Sequence, residues 1–243
     1  MKTLVTLIIS LFLLGLSSCK KSSIVEASPD PLAISPPSET VEYDLKLVVL
    51  GSSSAFGTGC TPIDSSWVNR FKAQFKRIEV VNLAANGYST YYALPSDYFT
   101  PFRPKPDTFR NVTKALSLSP NLVLISFPTN DVASDFTDEE IINNYSKIVS
   151  ILNEAKIDYL IFSTQPRDFS AAGKRTRLKS LNDKLQSIYA SHYYDFFGEI
   201  ATPSYNIKSD LAAGDGIHLN NKGHRLIFNG LVKNVKIKSF LKL

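Results

Sequence analysis

Four apolar residues, Leu47-Val48-Val49-Leu50, run straight into a glycine–serine cluster, Gly51-Ser52-Ser53-Ser54. A short unbroken apolar run that stops at a turn signal reads as a strand buried on both faces, as in parallel sheets. In an open α/β sheet, ligands bind beyond the carboxyl ends of the strands, so this serine cluster stands where chemistry usually happens. Glycine at 51 permits a sharp turn and leaves room for a reactant beside the next side chains. Taken alone, the stretch also suits an ordinary strand-to-helix loop, since Gly and Ser are common loop residues.

The rest of the chain alternates in the same manner. Ile78 to Asn82 predicts a second strand, ending in Leu83-Ala84-Ala85-Asn86-Gly87-Tyr88 with an Asn-Gly turn. Asn121 to Phe127 is the clearest strand and halts at Pro128-Thr129-Asn130-Asp131. Asp158 to Thr164, followed by Gln165-Pro166-Arg167, predicts a fourth, and Tyr193 to Phe197 a short fifth. Between them lie helical patterns. Asp64-Ser65-Ser66 caps a helix that places Trp67, Phe71 and Phe75 at successive turns, and Val112 to Leu118 predicts a short helix. Thr137-Asp138-Glu139-Glu140 is a capping box before a face of Ile141, Tyr145, Ile148, Val149 and Leu152. Ala171 to Ala190 turns Leu178, Leu181, Leu185 and Ile188 inward, and a last helix from about Asn220 carries Leu226, Ile227, Leu231 and Val235. The pattern predicts a three-layer α/β/α, doubly wound, flavodoxin-like parallel sheet of about five strands. Tyr91 to Arg110, rich in proline and aromatics and without a period, reads as an irregular loop: a lid or binding wall, or a packed surface excursion.

The N-terminus has a different character. Met1-Lys2-Thr3 precedes an apolar run from Leu4 to Leu16, then Ser17-Ser18-Cys19. A basic start, a short apolar core and small residues describe a secretory signal peptide over residues 1–18. Leu16-Ser17-Ser18-Cys19 resembles the lipobox of bacterial lipoproteins. That resemblance implies lipidation of Cys19 and an exported, membrane-anchored protein in the periplasm or at the cell surface; the alternative is an ordinary signal with a chance cysteine. Residues 19–43, rich in Lys, Ser and Pro, read as a flexible tether to a domain over 44–243. The chain has two cysteines. If Cys19 carries lipid, Cys60 has no partner, and it reads more simply as a small buried residue than as a thiol nucleophile. The net charge of +5 and pI near 9.0 are mild and come with no basic-aromatic alternation, so no nucleic-acid partner is expected. No His, Cys and carboxylate set has metal-ligand spacing, and no metal or other cofactor is expected.

Four clusters fall at one edge of the expected sheet: Gly51-Ser52-Ser53, Asn86-Gly87, Thr129-Asn130-Asp131 and Asp215-Gly216-Ile217-His218. Together they hold the parts of an acyl-transfer site. A serine hydroxyl becomes a good nucleophile when a neighbouring base takes its proton, and histidine suits that base because it titrates near neutral pH. A carboxylate on the other imidazole N–H fixes the tautomer, and N–H groups stabilise the oxyanion. Asp215 and His218, three apart before a helix, can be presented by one tight turn. His192, expected at the opposite sheet edge, and His224, inside a helix, are the competing bases and read as structural.

In their order these clusters resemble the SGNH (GDSL-type) hydrolase superfamily, whose four blocks contribute Ser, Gly, Asn and His. The resemblance spans residue 46 to about 230. It implies Ser53 as nucleophile with Asp215 and His218, and an oxyanion hole of the Ser53 and Gly87 backbone and the Asn130 side chain. Two positions depart from the pattern: Gly51-Ser52-Ser53 stands for Gly-Asp-Ser, and Pro128 stands for a glycine before Asn130. The implied activity is a serine esterase acting on ester or O-acetyl groups, with a small-molecule or polysaccharide substrate. The alternative is a lipid-anchored glycan-binding protein that has lost catalysis, which a broken triad would accompany. A P-loop, a GxGxxG turn and the G-x-S-x-G of ordinary α/β-hydrolases are all missing from the Gly51–Gly59 segment.

Overall fold

The computed structural model describes residues 43–127 and 129–243. Its sheet has five strands: β1 (Leu45–Gly51), β2 (Ile78–Asn82), β3 (Leu122–Ser126), β4 (Asp158–Phe162) and β5 (Tyr193–Tyr194). Every pairing is parallel and the order is β2-β1-β3-β4-β5, the flavodoxin-like winding expected from the sequence. That order reverses between β1 and β3, and the crevice outside their carboxyl ends is where such sheets bind ligands.

Nine helices connect or follow the strands among the described residues: α1 (Ser53–Phe56), α2 (Trp67–Gln74), α3 (Val112–Ser117), α4 (Thr129–Ala133), α5 (Asp138–Glu154), α6 (Ala172–Tyr189), α7 (Phe197–Ile200), α8 (Asn221–Leu231) and α9 (Val235–Leu241). Successive strand residues point to opposite faces, so β1 and β3 feed two cores. Val48, Leu50, Val123 and Ile125 pack with α3, α5 and α6 on one side. Leu47, Val49, Leu122 and Leu124 pack with α2, α8 and α9 on the other. Residues 47–50 are at most 1% exposed, and each such side chain contributes about 2 kcal/mol by leaving water. This two-sided burial is why the strand reads as an unbroken apolar run.

The helix starts follow local chemistry. Ser66, Asn111, Thr137, Asn220 and Asn234 each accept hydrogen bonds from first-turn backbone N–H groups, and Thr137 with Glu140 completes the reciprocal capping box. Three expectations need correction. Ile188, placed inward by helical spacing, is 52% exposed, because the buried face of α6 runs through Leu178, Leu181, Asn182, Leu185 and Tyr189. The last helix is two: α8 ends at Leu231 and Asn234 caps α9, which leaves Val235 exposed. The fifth strand is only Tyr193–Tyr194, and Phe197 already begins α7.

The Tyr91–Arg110 segment begins in a 3-10 turn over Thr90–Ala93 and continues irregularly. Tyr91, Ala93 and Leu94 are buried, whereas Phe99, Phe102 and Phe109 are exposed. Arg103 anchors the segment: its Nε donates to Glu140 Oε1 at 2.6 Å, and its guanidinium lies 5.0 Å from the Phe136 ring centre. The Cys19 lipid site, the signal peptide, nearly all of the tether and Pro128 lie outside the described residues.

Candidate active site

Ser53 stands two residues past the end of β1. The ladder carries on one residue past Gly51, with Ser52 N–H donating to the Ser126 carbonyl at 3.0 Å, and α1 opens at Ser53. This needs glycine at 51: a Cβ there would sit 2.7 Å from Ala55 Cβ and 2.8 Å from the Ser126 carbonyl oxygen. Past α1 the loop runs against the histidine segment. Gly59, at φ +96°, makes that approach possible, since a Cβ would fall 2.1 Å from the Leu219 carbonyl oxygen and 3.0 Å from His218 Cβ.

The Asp215–His218 turn is held from several sides. Asp215 Oδ1 accepts from the backbone N–H of Ile217 at 2.9 Å and of His218 at 2.8 Å. Asp168 N–H donates to the Gly216 carbonyl at 2.8 Å, Gln165 Nε2 to the Ile217 carbonyl at 2.6 Å, and Ala213 N–H to the His218 carbonyl at 2.9 Å. The turn brings Asp215 Oδ2 to 2.6 Å from His218 Nδ1, and His218 Nε2 to 3.0 Å from Ser53 Oγ. Burial works to raise the Asp215 pKa, but the His218 and Ile217 hydrogen bonds outweigh it and hold the carboxyl down to about 2. An ionised Asp215 accepts from Nδ1–H, which leaves Nε2 as the acceptor facing the Ser53 hydroxyl.

Ser53 and Asn130 line one narrow cavity, with Ser52, Ser126, Thr129, Ser163, Gln165, Phe127, Phe196 and Ile217 in its walls. The cavity volume is about 20 Å³, enough for a water-sized group beside Ser53. Asn130 stands in the first turn of α4, and its Nδ2 donates to the Tyr88 carbonyl at 2.9 Å. Gly87 is exposed at φ +77° and is not part of the cavity wall. Its neighbours tie it to the site from two sides, Tyr88 through Asn130, and Asn86 by accepting from Thr58 Oγ1 at 2.7 Å.

Sequence reasoning did not find the support beneath these residues. Asp131 is fully buried and accepts from Thr90 N–H at 3.0 Å and from Thr90 Oγ1 at 2.5 Å, while Asn144 Nδ2 donates to the same hydroxyl. Burial pushes the Asp131 carboxyl up to about 7 against the opposing effect of the Thr90 bonds. Gln165 carries its own double role, since its backbone carbonyl accepts from Thr129 Oγ1 at 2.9 Å while its side chain holds Ile217. The one available signal was position, because Gln165 follows β4 at the carboxyl edge.

The other histidines stand apart from Ser53. His192 lies 3.5 Å from Asp158 at the start of β4 and stacks on Tyr159, which is the opposite end of the sheet. His224 is fully buried, its Nδ1 accepting from Trp67 N–H at 3.4 Å and its Nε2 facing the Thr58 carbonyl, and burial pulls its pKa down to about 4. Cys60 is half-buried, and burial pushes its thiol up to about 11, far from a ready nucleophile. Among the described residues no three His, Cys, Asp or Glu side chains are grouped to hold a metal ion.

Comparison with known proteins agrees with this architecture. No curated protein matches the chain. Among solved structures, the chain is similar to the psychrotrophic esterase EstA from Pseudoalteromonas sp., with 19% identity, TM-score 0.59, and 82% of this chain and 100% of that one covered. It is also similar to a GDSL-like lipase from Bacteroides thetaiotaomicron, with 15% identity, TM-score 0.60, and 80% and 88% covered. A carbohydrate acetylesterase family member from Sinorhizobium meliloti gives 17% identity, TM-score 0.57, and 82% and 100% covered. At these identities the likeness establishes the shared fold. The model of the GDSL-like lipase/acylhydrolase family matches residues 49–226, from the strand before Ser53 to the helix after His218, and the chain belongs to that family.

Proposed function

We propose that the protein is a serine esterase that hydrolyses carboxylic esters, O-acetyl groups among them, through an acyl-enzyme on Ser53. The observation that carries this reading is the unbroken chain from Ser53 Oγ to His218 Nε2 at 3.0 Å and from His218 Nδ1 to Asp215 Oδ2 at 2.6 Å. In the first step the Oγ proton passes to Nε2 as Oγ bonds to the substrate carbonyl carbon. The tetrahedral intermediate then expels the alcohol, whose oxygen takes the proton from His218. A water molecule repeats the sequence on the acyl-enzyme, losing its proton to His218 and releasing the acid and free Ser53. Asp215 holds the imidazole tautomer throughout. The oxyanion is assigned to the Ser53 and Gly87 N–H groups and to Asn130; one hydrogen of the Asn130 amide is engaged by Tyr88 and the other remains free to donate.

The alcohol side of the substrate is a hydroxyl-bearing molecule, with polysaccharide O-acyl groups as the favoured class. In support are the likeness to a carbohydrate acetylesterase family member and the exposed phenylalanines of the 91–110 segment. The protein is further proposed to be an exported lipoprotein held to a membrane through Cys19, a reading that rests on the order Leu16-Ser17-Ser18-Cys19.

The test is covalent labelling. The similar Pseudoalteromonas esterase has a structure inhibited by monoethylphosphonate, so a fluorophosphonate probe is a fitting reagent. Peptide mapping should place the adduct on Ser53, with labelling abolished in Ser53→Ala and kept in Ser54→Ala. Labelling that persists in Ser53→Ala would overturn the assignment.

A further inference from the structure

All five strands run parallel, so the sheet has a carboxyl edge, where Ser53 and His218 stand, and an amino edge at the far end of the strands. Strands β1 to β4 have five to seven residues, which at about 3.3 Å each put the two edges roughly 20 Å apart. Helix α9 lies across the amino edge. Its Lys236 Nζ is 2.7 Å from Asp158 at the start of β4, and its Leu241 shares a groove with Leu45 and Ile78, the first residues of β1 and β2. Four exposed lysines stand on this edge with no carboxylate partner among the described residues: Lys76 before β2, Lys156 before β4, Lys238 on α9 and Lys242 just past it. The carboxylates there are mostly taken, Asp44 by Arg77 at 2.7 Å, Glu79 by Lys46 at 3.0 Å and Asp158 by Lys236. Glu154, at the end of α5, is left without a cation among the described residues. Tyr43 and Val235 add exposed apolar surface to the same edge.

We propose that this amino edge docks on an anionic phospholipid surface, so that the active site faces away from the bilayer. Lysines close to a membrane are drawn to anionic headgroups, and apolar side chains among them enter the interface. The residues before Tyr43 join the domain at this edge, so an N-terminal attachment to lipid leads here and charge selects the face that turns to the bilayer. A soluble acidic polymer is the other class of partner for such charges. As a substrate it would need a basic path reaching Ser53, whereas these lysines gather at the opposite end of the strands. Docked in this way, the protein holds Ser53 roughly 20 Å from the headgroups. It therefore acts on molecules outside that bilayer rather than on the lipids within it. The inference goes beyond the esterase reading and does not depend on it.

The experiment mixes the full chain with excess vesicles of phosphatidylglycerol or of phosphatidylcholine. Reductive methylation of each lysine by formaldehyde and cyanoborohydride is then followed by peptide mass mapping. At low salt Lys76, Lys156, Lys238 and Lys242 should react more slowly on phosphatidylglycerol by on the order of fivefold, and about 1 M salt should abolish the difference. Lys105 and Lys222, exposed on the active-site side, should react equally with both vesicles. Lys238→Glu combined with Lys242→Glu should remove the protection of Lys76 and Lys156 and leave kcat/KM for a soluble ester as in the wild type. Equal methylation of the edge lysines on both vesicles would overturn the proposal, and so would slowing shared equally by Lys105 and Lys222. Slowing by soluble dextran sulfate without slowing by phosphatidylglycerol would overturn it in favour of an acidic polymer. The comparison holds whether or not Cys19 carries lipid and reads no turnover, so its failure leaves the anchor and esterase readings to their own tests.

Discussion

Asn130 Nδ2 donates to the backbone carbonyl of Tyr88 at 2.9 Å, and Tyr88 directly follows Gly87. The next residue, Asp131, takes two hydrogen bonds from Thr90. Helix α4 thus grips the 87–90 segment at two points, and the proposed oxyanion donors from β2 and β3 hold each other. Asn130→Ala should lower kcat by on the order of 10²–10³-fold with KM nearly unchanged, as for a donor used only in the transition state. A kcat near wild type with a lowered Tm would make Asn130 a brace for Tyr88 and nothing more.

Asp215→Asn tests the tautomer argument. The asparagine carbonyl can still accept from the Ile217 and His218 backbone, so the turn should keep its shape. The carboxylate that holds Nδ1–H is gone, and kcat should fall by on the order of 10⁴-fold at little cost in Tm. A fall of less than tenfold would mean that Asp215 serves the turn alone.

Two buried groups should pull the pH dependence of stability in opposite directions. Asp131, ordinarily near 3.8, is pushed to about 7 by burial, so between about 4 and 7 the folded state keeps a proton that the unfolded chain has released. Its contribution to stability therefore falls as pH rises across that window. His224, ordinarily near 6.5, is pulled to about 4 by burial, so across that range the unfolded chain binds a proton that the folded state refuses. Its contribution is lost as pH falls. The two offset in the wild type. Against the wild type, Asp131→Asn should gain a slope rising with pH between 4.5 and 6.5, and His224→Gln a slope falling with it, each at most about 1.4 kcal/mol per pH unit. Urea unfolding at a series of pH values checks this; three parallel profiles would refute it.

The proposed lipid anchor is tested by Cys19→Ala. The substituted protein should leave the membrane fraction, either soluble or carrying its unprocessed leader. A mature-size Cys19→Ala protein that still sediments with membranes would place the anchor elsewhere.

The layered fold was legible because buried parallel strands leave an unbroken apolar signature, as Leu47–Leu50 and Leu122–Ile125 do, and because Thr137 and Glu140 cap a helix through contacts three residues apart. The order of Ser53, Gly87, Asn130 and His218 was legible for a related reason: each follows a strand or precedes a helix at one edge, and edge position can be counted along the chain. Ile188 was misread because helical spacing marks an approximate apolar face, while the docking of α6 on the sheet decides where that face ends. The break at Asn234 carried its own local signal, an asparagine able to cap. Other features had no local signal. The 3.0 Å contact between Ser53 and His218 joins residues 165 positions apart, and the burial of Asp131 depends on Thr90 and Asn144 arriving from separate segments. Gln165 is an ordinary polar residue in the sequence; it becomes a brace of the site only when its side-chain nitrogen meets the Ile217 carbonyl and its backbone carbonyl meets Thr129. Periodicity and caps act over a few residues, so the sequence by itself determined the kind and order of the main strands and helices, and their ends less closely. Burial, pairing and shifted pKa values depend on which distant groups meet, and the tertiary structure alone decided those.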